Sequence, residues 1–132
     1  MDLKILEIAS NTENNKIVKN HTHSAKFKNP ICGDEMEISL NVKSEKILDF
    51  GYQCKSCVYC QASVSLLSRN ATNKSIINLK NLLNVVEKFS VGENIIFPKE
   101  WSVFKQIFDN KNLSRKECLL LPFKTLSKAL KL

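Results

Sequence analysis

Gly51-Tyr-Gln-Cys54-Lys-Ser-Cys57-Val-Tyr-Cys60-Gln-Ala-Ser-Val-Ser65 is the stretch where this chain changes its period. Before it, Met36, Ile38, Leu40 and Val42 alternate with Glu35, Glu37, Ser39, Asn41 and Lys43. That is the pattern of a half-buried strand with one wet face. Lys43-Ser-Glu-Lys46 reads as a turn, and Ile47 to Tyr52 as a second strand with Leu48, Phe50 and Tyr52 on one side. Two such strands with a short connection form an antiparallel meander. After Cys57 the small residues Ala62 and Ser63, with Leu66 and Leu67, suit a helix packed closely on that sheet.

Working outward, residues 16–28 are weakly strand-like, and Pro30 and Gly33 bracket Cys32 in a tight turn. Residues 1–15 hold one short apolar patch before a polar run, which predicts a loosely docked start. Downstream, Ile76, Leu79, Leu83 and Val86 mark an amphipathic helix closed near Gly92. Pro98 opens a third helix that buries Trp101, Phe104 and Phe108. Ser114-Arg-Lys-Glu117 matches a capping box that sets Cys118 in a first turn, and Pro122 opens the last helix. Strands first and helices after argue an α+β fold, a small antiparallel sheet covered by helices on one face. The 132 residues fit one domain.

Lysine and arginine outnumber acids 20 to 13, for a net charge of +7. The basic residues are scattered rather than gathered into a stripe with interleaved aromatics, so a nucleic-acid partner is disfavoured. No apolar run approaches the ~18 residues needed to span a bilayer, and no signal segment is visible at the start. Five cysteines, an odd number without framework spacing, argue against a stapled secreted fold. In a reducing compartment clustered cysteines bind metal or do sulfur chemistry, and the expected location is the cytoplasm.

Cys54, Cys57 and Cys60 form overlapping Cys-x-x-Cys steps, while Cys32 and Cys118 stand alone. A zinc ribbon needs a second knuckle, which is missing. A thioredoxin-like motif needs a βαβ context, also missing. What remains is a mixed site drawn from three segments, with Asp34 two residues from Cys32 as an oxygen ligand. The predicted helix N-termini at Cys57 and near Cys118 favour thiolates. His21 and His23 are two apart on a strand-like segment and offer a weak metal pair; a plain surface pair is the simpler reading.

Asn29-Pro-Ile-Cys-Gly-Asp34 resembles the Asn-Pro-x-Cys-Gly-Asp signature of the U-type iron–sulfur assembly proteins: IscU, SufU and the N-terminal domain of NifU. Aligning Ala62-Ser-Val-Ser65 with that family's Ala-Ser-x-Ser segment puts Cys57 on its second ligand cysteine. Arg115-x-x-Cys118 with Leu121, Phe123 and Leu126 is similar to the third-cysteine segment of the SufU branch, as is the long interval between Cys57 and Cys118. The resemblance runs from about Ala25 to the end of the chain. It implies a three-stranded antiparallel sheet backed by helices, with site residues Cys32, Asp34, Cys57 and Cys118. It further implies a [2Fe–2S] cluster or zinc, sulfur from a cysteine desulfurase with Cys32 or Cys118 as persulfide acceptor, and delivery to apo iron–sulfur acceptor proteins. The alternative within the family is a zinc-dependent sulfurtransferase that relays persulfide sulfur without building a cluster.

The departures are specific. The family's N-terminal helix, with its His-Tyr and Asn-Pro-Arg-Asn stretch, is missing or eroded to Met1–Asn15. The Leu-Pro-Pro-Val-Lys of IscU is absent, and Glu117 rather than histidine precedes Cys118. Cys54 and Cys60 are additions, readable as alternate ligands, a sulfur relay, a resolving thiol or neutral substitutions, the last being the simpler reading for Cys60.

Overall fold

The computed structural model describes residues 3–31 and 33–132; Met1, Asp2 and Cys32 lie outside the described residues. In chain order the elements are α1 (Leu3–Ala9), β1 (His23–Lys28), β2 (Glu35–Lys43), β3 (Lys46–Lys55), α2 (Val58–Ala71) and α3 (Ile76–Ser90). Two 3₁₀ segments, Lys99–Gln106 and Asn110–Arg115, then lead into α4 (Lys116–Leu130). The sheet is antiparallel throughout in the order β1-β2-β3. The expected α+β architecture is observed.

The alternation over residues 35–43 becomes β2, whose Met36, Ile38 and Leu40 turn toward the helices and are buried. Ser44 and Glu45 take positive φ in the turn to β3, the twist that a two-residue hairpin loop requires. One expectation about β3 is corrected. Asn41 faces Asp49 but Val42 faces Ile47, so Leu48 is an extra residue on β3. That bulge reverses the parity of the strand's start. Ile47 is fully buried, while Leu48, expected inside with Phe50 and Tyr52, is 45% exposed.

The loose start expected over residues 1–15 is instead a docked helix. Ile5 is fully buried and Ile8 nearly so, and α1 packs against α2. The polar run after it is tied down by hydrogen bonds. Ser65 Oγ donates to the Asn11 carbonyl at 2.7 Å, and Asn14 Nδ2 to Ser68 Oγ at 3.0 Å. The backbone then joins the edge of β3, where Lys16 N donates to Tyr52 O and Tyr52 N to Asn14 O. It crosses the sheet's other face, where Val18 N donates to the buried Ser39 hydroxyl. Gly51 permits this crossing, since a Cβ there would lie 2.5 Å from the Lys16 carbonyl oxygen.

The helical half differs from expectation in three places. Pro98 does precede a helix, but Lys99–Gln106 is 3₁₀ rather than α, with Trp101 and Phe104 buried. Ser114 lies inside the second 3₁₀ segment, and α4 starts after Arg115 with no side-chain cap. Glu117, expected to close a capping box, instead pairs with Lys124 at 3.4 Å. Pro122 does not open the last helix; it lies inside α4 and is buried there. A proline at that position has no N–H to return to the Cys118 carbonyl four residues back. Tertiary packing holds the helix across it: Phe123 stacks edge-on against Phe104 and Phe108, with ring centroids 5.7 and 5.4 Å apart.

Candidate metal centre

Three segments end together at one end of the sheet. The turn between β1 and β2 supplies Asp34, the exit of β3 leads to Cys57, and the first turn of α4 carries Cys118. Lys28, Glu35 and Lys55 are register partners there, so the 29–34 turn and the β3 exit are neighbours by construction.

The turn is built by Asn29, which is buried. Its side-chain oxygen accepts from Ile31 N at 2.9 Å, its carbonyl accepts from Gly33 N, and its amide donates to the Asp34 carbonyl. Gly33 sits at φ +78, a conformation that glycine adopts without strain. Cys57 is the N-cap of α2 in extended backbone, with no side-chain cap, so the first amides of the helix face outward beside its sulfur. Such a terminus is electropositive and suits anionic ligands. Cys118 is held against α2 from two sides. Ser63 Oγ donates to the Leu119 carbonyl at 2.6 Å, and the Arg115 guanidinium lies 5.1 Å from the centre of the Tyr59 ring.

The result is a cluster. One ligand atom each from Asp34, Cys57 and Cys118 lie within 4.8 Å of one another, the first two residues half-buried and Cys118 buried. Cys32 lies outside the described residues. Asp34 Oδ2 is buried and accepts no hydrogen bond from the described residues. A buried carboxylate oxygen without a donor is costly unless a cation serves it. Two thiols and a carboxylate are a donor set that fits zinc or iron.

His21 and His23 do not join this centre. His21 Nδ1 contacts the Val18 carbonyl and His23 Nδ1 the Thr22 hydroxyl. Cys54 lies opposite Met36 at the end of β3, half-buried, and Cys60 is fully buried in the first turn of α2. Burial pushes both thiols above their ordinary range, with the Ser56 hydroxyl offsetting part of the rise. Ser63, Tyr59 and Asn29 are supports that sequence reasoning passed over as functional. Ser63 stood in the sequence only as a small helix-packing residue.

The sequence profile described as the NifU-like N terminal domain matches residues 2–95. An iron–sulfur cluster assembly scaffold protein IscU from Thermotoga maritima is 35% identical over 105 residues, 79% of this chain and 73% of that protein. The chain belongs to the NifU-like N-terminal domain family. This NifU-like chain also matches an uncharacterized Borreliella burgdorferi protein, at 28% identity over 118 residues, 89% of the chain and 81% of that protein. Its fold is that of two crystal structures. One is the N-terminal part of a nitrogen-fixing NifU-like protein from Brucella abortus, with TM-score 0.89, 20% identity and coverage of 98% and 91% of the two chains. The other is the SUF-system protein SufU of Fervidobacterium islandicum, with TM-score 0.89, 22% identity and coverage of 98% and 96%. No helix among the described residues of the NifU-like chain is long and apolar enough to cross a membrane.

Proposed function

We propose that this protein is a cytoplasmic iron–sulfur cluster assembly scaffold. In this reading it accepts sulfur from a cysteine desulfurase and holds a [2Fe–2S] cluster, its cargo, on Cys32, Asp34, Cys57 and Cys118. Apo iron–sulfur proteins then receive the cluster. The observation that carries the reading is the meeting of Asp34, Cys57 and Cys118 within 4.8 Å, with the buried Asp34 Oδ2 lacking a donor among the described residues. The scaffold role named for the Thermotoga relative supports it.

The chain's own part is to keep soft thiolate ligands and one carboxylate in a fixed, half-buried setting. Sulfur arrives by exchange. A thiolate of Cys32 or Cys118 attacks the outer sulfur of the desulfurase persulfide, a new S–S bond forms on this chain, and the desulfurase cysteine leaves as thiolate. No electrons are gained or lost overall. The same donor set would hold zinc, in which case the protein relays persulfide as a sulfurtransferase and builds nothing. The long connection through α3 and two 3₁₀ segments before Cys118, similar to the SufU branch, keeps that second reading in view.

The test is anaerobic incubation of wild type and Cys57→Ser with ferrous iron, cysteine and a cysteine desulfurase, followed by visible absorption. A chromophore on wild type alone that moves to an apo-ferredoxin supports the scaffold. A colourless protein that retains zinc and accelerates the desulfurase is the sulfurtransferase. Neither response removes both readings.

A further inference from the structure

Of the two thiols added to the family pattern, Cys54 lies near the end of β3 and Cys60 lies on α2, one turn from Cys57. Cys57 is the N-cap and Cys60 the third residue of the helix, and the Gln61 amide bonds back to the Cys57 carbonyl, closing that first turn. Positions three apart in a helical turn hold their Cβ atoms about 5–6 Å apart, whereas a disulfide draws them to about 3.5–4.5 Å; that closure falls to Cys57, which lies in extended backbone at the N-cap rather than inside the helix. Cys57 is half-buried at the start of the helix, and Cys60 has no solvent exposure. An accessible first cysteine and a buried second one at a helix N-terminus is an arrangement of a Cys-x-x-Cys dithiol, here without the βαβ setting of the thioredoxin-like motif. Cys54 leaves from extended strand instead, with Lys55 and Ser56 carrying the chain away before Cys57.

Sulfane sulfur can reach this pair from the neighbouring ligand. Two S–S bonds of about 2.05 Å laid end to end span about 4.1 Å, and the Cys118 and Cys57 sulfurs lie within 4.8 Å of each other. A sulfur carried by Cys118 can therefore pass in line to Cys57.

We propose that Cys57 and Cys60 form a resolving dithiol that converts a persulfide on Cys57 into sulfide, supplying the reducing electrons for sulfur delivery from within the protein. The inference rests on the sulfur-accepting reading above. In the first step the Cys57 thiolate attacks the outer sulfur of a Cys118 persulfide, and Cys118 leaves as thiolate. In the second, Cys60 Sγ attacks Cys57 Sγ. The Cys57–Cys60 bond forms, and the bond from Cys57 to the sulfane sulfur breaks. That sulfur departs with the bonding pair and takes up the Cys60 proton as hydrosulfide. The sulfane sulfur is reduced, the two thiols are oxidised to a disulfide, and a small-molecule thiol outside the protein returns the pair to its reduced form.

The experiment uses the reduced full chain, freed of added thiols, under anaerobic conditions. It is mixed with a cysteine desulfurase preloaded with persulfide and freed of cysteine, or, in a parallel arm, with glutathione persulfide. Sulfide is assayed and disulfides are mapped by peptide mass spectrometry. Wild type should release sulfide in step with a Cys57–Cys60 disulfide. Cys60→Ala should keep the extra sulfur on the chain and release sulfide about tenfold more slowly or worse, while Cys54→Ser behaves as wild type. Zinc affinity and circular dichroism report whether Cys60→Ala keeps its fold; if it does not, the disulfide map of wild type decides. Release from Cys60→Ala at the wild-type rate, a disulfide mapped to Cys54, or wild type forming no Cys57–Cys60 bond with either donor overturns the proposal. Resolution with glutathione persulfide but not with the desulfurase removes the desulfurase as partner and leaves the dithiol standing.

Discussion

The Cys57 and Cys118 sulfurs lie within 4.8 Å of each other, one from the N-cap of α2 and the other from the first turn of α4. In the proposed centre the two sulfurs serve one ion, so their losses act alike. Cys57→Ser and Cys118→Ser should each lower zinc affinity by about tenfold or more, since even loss of a supporting hydrogen bond around a metal costs that much. Competition with a chromophoric chelator measures it. His21→Ala should bind as wild type, and equal weakening there would argue for a different centre.

Ser63 joins the two helices. Its hydroxyl donates to the buried Leu119 carbonyl at 2.6 Å, one residue beyond Cys118. Ser63→Ala should lower stability by about 1 kcal/mol and weaken zinc binding as well. Urea unfolding and the same chelator competition read the two effects. A loss of stability with unchanged affinity would show that the bond does not position Cys118.

The N-terminal segment contributes to stability, by the fit of two residues. Ile5→Ala empties a fully buried site on α1 and should cost about 2–4 kcal/mol. Gly51→Ala drives a Cβ against the Lys16 backbone and should cost about 1–3 kcal/mol. Chemical denaturation checks both, and a near-neutral Ile5→Ala would return the start of the chain to the loose docking expected from sequence.

Stability should fall in alkali. Burial raises the Cys60 thiol above its ordinary value of 9.0, so the folded state keeps a proton that the unfolded chain has lost. The contribution is complete below about pH 9 and declines as pH rises beyond it, by up to about 1.4 kcal/mol per pH unit for one thiol. Cys54 and Tyr52 are shifted the same way, chiefly by burial, and add to the slope. Cys60→Ala should flatten the decline between pH 9 and 10 in urea melts, whereas an unchanged slope would mean that Cys60 does not titrate differently on folding.

Much of this protein is local, and what is local was legible. The alternation from Glu35 to Lys43, the Ser44-Glu45 turn and the small-residue face of α2 each depend on neighbours in sequence, so period and turn chemistry reveal them. Asp34, Cys57 and Cys118 were legible as candidates because ligand chemistry restricts residue type and the motifs stand in a family's order. The remainder depends on partners distant in the chain. The bulge that turns Leu48 outward is a matter of pairing between β2 and β3. Glu117 prefers Lys124 to a cap, and Pro122 stays helical because Phe123 is gripped by Phe104 and Phe108. Ile5 is buried because α2 offers it a face, although the polar run after it reads as a frayed end. Residue type and spacing determined by themselves which atoms can bind a metal. Only the packing of α4 on α2 and the sheet decided that Asp34, Cys57 and Cys118 meet, because the free energy that closes so long a loop comes from buried side chains far from the ligands.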